Sequence, residues 1–96
     1  MNAEEAMHLV TNAITTAHNA FEILEKAWPP DEKIITRAEA LFDQSNAGIR
    51  DFFEATKKID DRQFPEIRET KKECKIALKR HAKTLKMVRE IISQQP

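Results

Sequence analysis

The side chains able to do chemistry are few and far apart: three histidines, His8, His18 and His81, and one cysteine, Cys74. Glu5 and His8 make half of the carboxylate–histidine pair of di-iron helical bundles. Such a site needs that pair twice, with further inward glutamates, and the chain supplies neither. His18 and Glu22 lie one helical turn apart, but no third ligand joins them at a matching spacing. No metal and no cofactor are expected. Cys74 and His81 are separated by about 10.5 Å of helical rise, too far for a thiolate–imidazole pair. His81 falls on an apolar seam, so a buried neutral ring bonded to a threonine or to backbone is expected. The alternative is a histidine presented for phosphotransfer, and Ala82-Lys83-Thr84-Leu85 lacks the small, glycine-containing surface such sites display. With one glycine in the chain there is no phosphate-cradling loop, and no serine or cysteine has an activating base at a set spacing. A bundle of this width is also expected to have little room for a pocket of ~300 Å³. The reading is therefore non-enzymatic, with no small-molecule substrate.

Two surface patterns carry binding potential instead. Residues 65–93 hold nine Lys/Arg against four Glu, while residues 1–64 hold seven against twelve acidic groups, an asymmetry hidden by zero net charge. Lys72, Lys75, Lys79, Lys83 and Lys86 form one outward stripe, suited to phosphates, anionic lipid or an acidic protein. No aromatic residue follows Phe64 to stack on bases, and lysine outnumbers arginine there, so specific base readout is not expected. The second pattern is an absence: between Glu5 and Glu22 there is no Asp, Glu, Lys or Arg. Interface centres are depleted of charge, and the outward Thr11, Asn12, Thr15, Thr16 and Asn19 are the candidate protein interface. Beside them Ala6, Ala13, Ala20 and Ala27 recur every seven residues. Such an alanine line either packs closely on a neighbouring helix of the same chain or forms a shallow groove for a partner's helix.

These groups must be positioned by helices. Ala3, Met7, Val10, Ile14, Ala17, Phe21, Leu24 and Trp28 alternate spacings of four and three, a heptad seam that Pro29 and Pro30 end. Pro30, Asp31 and Glu32 suit the start of a second helix. Its seam is Ile35, Ala38, Phe42, Ser45, Ile49, Phe52, Thr56 and Ile59, with Lys57 and Lys58 in the last turn. Within it, Ser45-Asn46-Ala47-Gly48 either kinks or breaks the helix or lets another backbone come close, since glycine costs about 1 kcal/mol against alanine there. Pro65-Glu66 opens a third helix, with Ile67, Cys74, Leu78, His81, Leu85, Val88 and Ile92 as its seam. The expectation is an all-α, antiparallel up-down-up three-helix bundle, coiled-coil-like, with helices over about 3–27, 31–59 and 65–93 in one domain spanning 1–96.

A lone cysteine excludes an internal disulfide framework. The N-terminus lacks a basic segment followed by an apolar run, and no stretch approaches the ~18 apolar residues of a membrane span. A cytoplasmic location is expected. The functional expectation is an adaptor that binds a partner helix or pairs with itself as a homodimer through helix one. The alternative is a binder of an anionic partner (nucleic-acid backbone, anionic membrane or acidic protein) through helix three.

Overall fold

The structure, a computed structural model, describes residues 2–94, in which three helices and no strands occur. Helix α1, Ala3–Lys26, is capped by Asn2, whose side chain accepts from the Glu5 amide at 2.8 Å. Helix α2, Glu32–Thr56, is capped in the same way by Asp31, which accepts from the Ile34 amide at 2.9 Å. Each cap satisfies one amide that the first helical turn leaves without a carbonyl, and the carboxylates nearby complement the dipole. Helix α3, Pro65–Ser93, has no side-chain cap and starts on Pro65, whose missing N–H costs nothing in the first turn. No helix of the described residues is long and apolar enough to cross a membrane.

Two details depart from the expected boundaries. Helix α2 ends at Thr56 rather than near Ile59, so Lys57 and Lys58 lie beyond its last turn. The Thr56 hydroxyl donates to the carbonyls of Phe52 (2.8 Å) and Phe53 (3.2 Å), and the next amides close tighter turns, Lys57 onto Glu54 and Ile59 onto Thr56. The tract Ser45–Gly48 contains no break: α2 is continuous through it. Of the expected roles for this tract, the close approach of another backbone is realised. A Cβ placed on Gly48 would stand 2.9 Å from Cβ of Ala13.

That approach organises the core. Ala6, Val10 and Ala13 of α1 meet Ile49 and Phe52 of α2, with Ile67 and Cys74 of α3 closing the cluster. A second cluster joins Ala17, Ala20 and Leu24 to Ile35, Ala38 and Phe42, with Val88 from α3. Fully burying side chains such as Phe42, Phe52 or Ile49 is worth roughly 1.5–3 kcal/mol each. Phe21 adds an edge-on contact to Phe42, ring centroids 4.9 Å apart.

The three helices are not packed equally. Helix α1 lies mainly on α2, α3 touches α2 less, and α3 scarcely touches α1; the whole measures 54 × 17 × 17 Å. Helix α3 is tied to α2 by polar links: Arg89 to Glu39 and Glu32, and His81 to Asn46. The α2 seam is buried as expected from Ile35 to Thr56. The α1 seam is buried only in part: Val10, Ala17 and Leu24 are covered, together with Ala6, Ala13 and Ala20 of the alanine line, whereas Ile14 and Trp28 are exposed. The cause is the small-on-small contact with Ser45 and Gly48, which turns the alanine line toward α2 and leaves the larger apolar side chains facing a space that α3 does not fill.

Candidate partner-binding groove

That space is a groove of about 790 Å³ between α1 and α3, floored by α2. It corrects the expectation that a bundle this narrow leaves no sizeable pocket. The expectation assumed that α3 would close over the α1 seam, and it does not. From α1 the walls are Ile14 and Phe21, with Trp28 just past its end; from α3 they are Ile76, Arg80 and Met87; the floor includes Ser45 and Ile49 of α2. Ile14 is 48% exposed, Trp28 52%, Ile76 66% and Met87 49%, and these are the large apolar side chains left exposed among the described residues. All four line the same groove. Singly exposed apolar residues are ordinary, but a contiguous set marks an interaction surface.

Two polar contacts lie beneath the groove floor. Ser45 donates to the Ala13 carbonyl at 2.6 Å, and His81 Nδ1 lies 2.8 Å from Asn46 Oδ1. Oδ1 accepts only, so the neutral ring carries its proton on Nδ1. The expected partner of His81, a threonine or backbone group, is thus replaced by Asn46 of α2. The ring stacks at a tilt on Phe42, centroids 4.8 Å apart, and approaches Phe21 at 5.9 Å. Burial and the nearby Arg80 guanidinium both hold its pKa below the usual histidine value. Arg80 lies over the Phe21 ring at 4.9 Å, a cation–π contact that holds its charge at the groove wall. His18 and Glu25 stand on the α1 side and Glu73 on the α3 side.

The other candidate residues take different places. Thr11 and Thr15 are exposed and border the groove beside Ile14 by helical register, while Asn12 and Asn19 lie on the far side of α1 and Thr16 is half-buried. The threonine hydroxyls bond to their own helix: Thr11 to Met7 at 2.9 Å, Thr15 to Thr11 at 3.0 Å and Thr16 to Asn12 at 2.9 Å. The structure therefore splits the strip between two faces. Lys72, Lys75, Lys79, Lys83 and Lys86 are all exposed. By register they face away from α2, with Lys72 and Lys83 nearest the groove edge. Only Lys72 of the five has an ion partner among the described residues, Glu69 at 3.5 Å. His8 is exposed on α1. Cys74 is buried, and desolvation first, with Glu73 adding to it, pushes its thiol pKa up to about 11.

Sequence reasoning found Ile14, Phe21 and Trp28 as apolar positions but assigned them to the interior, and it did not single out Ile76 or Met87. The available signal was size: α1 has an alanine face and a large apolar face, and a three-helix bundle cannot cover both equally. Comparison with protein-family models, curated proteins and solved structures finds no match to this chain.

Proposed function

We propose that the chain is a non-enzymatic protein-interaction module that receives the apolar face of a helix in the groove between α1 and α3. One observation carries this reading: the four exposed large apolar side chains converge on that groove. A helix laid between two helices over the floor of a third completes a four-helix arrangement, and amphipathic helices bind such grooves through residues spaced three and four apart. The up-down-up, antiparallel, coiled-coil-like course of the chain is part of the proposal. It is supported by the pairings of Arg89 with Glu39 and His81 with Asn46, in which rising α3 numbers meet falling α2 numbers, and by Lys71 reaching Asp61 of the short connector between the two helices.

The test is a photo-activated crosslinking residue placed in the full chain at Met87, with Gln44 on the outer side of α2 as control. A discrete adduct is expected from Met87 and none from Gln44. Equal labelling from both positions, or no adduct from Met87, refutes the reading.

A second reading is favoured by the lysine stripe of α3, since Lys75, Lys79, Lys83 and Lys86 have no ion-pair partner among the described residues. It is an anion-binding face for a nucleic-acid backbone, an anionic membrane or an acidic protein. Its affinity for heparin or anionic vesicles should fall steeply with salt and disappear when Lys75, Lys79 and Lys83 are changed to glutamate. Retention unchanged by that triple change rules it out.

A further inference from the structure

The groove reading leaves open what fills the groove, and charge along its two edges selects among occupants. We propose, resting on the reading of this groove as a protein-interaction surface, that it is covered by a second copy of this chain, paired about a twofold axis parallel to the helices so that the two grooves face each other and α1 of each copy lies against α3 of the other.

The two edges match level by level. Cys74 clusters with Val10 and Ala13, Arg80 covers Phe21, and Val88 packs with Leu24, so ascending α1 numbers run beside ascending α3 numbers. Ile14 and Ile76 therefore occupy one end of the groove, Trp28 and Met87 the other. A twofold along the helices keeps these levels, so Ile14 meets Ile76 of the partner subunit and Trp28 meets Met87 of the partner subunit. The charges follow the same match. The edge of α1 changes from the neutral Thr11 and Thr15 to Glu22, which is paired with Lys26 at 2.6 Å, and to Glu25, which has no ion partner among the described residues, so that it is acidic by one net charge. The edge of α3 carries Lys83 close to the level of those glutamates and Lys79 about one turn below it, neither with an ion partner among the described residues. Pairing α1 with α3 sets carboxylates against ammonium groups twice per dimer. The other face-to-face choice, with the axis across the helices, lays α3 on α3 and sets the two lysine stripes against each other. Electrostatic complementarity of this kind selects register and partner, and a self-complementary patch is what a twofold interface requires.

The experiment is sedimentation equilibrium and light scattering over a concentration series, with fluorescence of Trp28, the chain's one tryptophan, as a local reporter. Wild type is expected to reach twice the monomer mass, with Trp28 emission shifting to the blue in step. Ile76→Asp with Met87→Asp should remain monomeric at every concentration with unchanged helical content, because both side chains already face solvent in the single chain. The charge test is independent of apolar loss. Glu22→Lys with Glu25→Lys, and separately Lys79→Glu with Lys83→Glu, should each weaken self-association at least about tenfold, and mixing the two variants should restore it as a heterodimer. A wild type that stays monomeric at every concentration overturns the self-pairing, and so does a dimer indifferent to the groove substitutions or a mixture that fails to recover. A monomer that still yields a heterologous adduct at Met87 overturns the self-pairing alone and leaves the groove reading standing.

Discussion

The Ser45 hydroxyl of α2 donates to the Ala13 carbonyl of α1 at 2.6 Å, one helical turn from the point where Gly48 meets the same alanine. Two small residues on α2 thus grip one small residue on α1, and this contact sets which face of α1 is left for the groove.

Gly48→Ala tests the grip directly. The substitution gains about 1 kcal/mol of helix propensity, but its methyl would stand 2.9 Å from Cβ of Ala13, which has no rotamer with which to move aside. Overpacking of this kind costs about 1–3 kcal/mol. The expected net change is a loss of about 1 kcal/mol in urea unfolding, largely recovered when Ala13 is changed to glycine at the same time. A variant more stable than wild type contradicts the close-approach account.

Ser45→Ala removes the interhelical hydrogen bond without leaving a buried donor behind. The loss should be about 0.5–1.5 kcal/mol, read from the denaturation midpoint at constant slope. Ser45→Val, which adds bulk at the same contact, should cost more; the reverse order would mean that packing there is slack.

Histidine 81 should make stability depend on pH. Burial, then Arg80, lowers its pKa in the folded chain, so the unfolded chain binds more protons as pH falls through the ordinary histidine value of about 6.5. The stabilisation is complete above that value and declines below it, toward the lowered folded pKa. Denaturation midpoints should therefore fall between about pH 7 and 5, with a shallower slope in His81→Phe. Equal slopes in the two proteins would remove His81 as the source.

Cys74 should be nearly inert in the native state. A thiol pKa raised from 9.0 to about 11 lowers the thiolate fraction at neutral pH roughly a hundredfold, and burial blocks access as well. Alkylation should be slow in buffer and fast in urea, with native-state rates that follow unfolding. Rapid modification of the folded protein would show that α3 detaches from α2 readily.

The helices were legible in the amino-acid sequence because their signals are local. Asp31 before Ile34, the prolines at 29, 30 and 65, and the three-four spacing from Ile35 to Thr56 each act within a turn or two of chain, and the structure follows them to within about three residues. The lysine stripe was legible for the same reason, since side chains three and four apart share a helix face whatever else happens.

Which face of α1 is covered was not legible. Its alanine line and its large apolar seam are both apolar at helical spacing, and periodicity cannot rank them. The choice depends on Gly48 and Ser45, thirty-two or more residues away, which allow α2 to approach the alanines closely. Helix α3 then rests on α2 through Arg89 and His81 and does not close over α1. Sequence alone determined three helices, their approximate ends and their charge. Only the tertiary structure decided that Ile14, Trp28, Ile76 and Met87 line an open groove, because that outcome depends on the distance between backbones and not on spacing along any one of them.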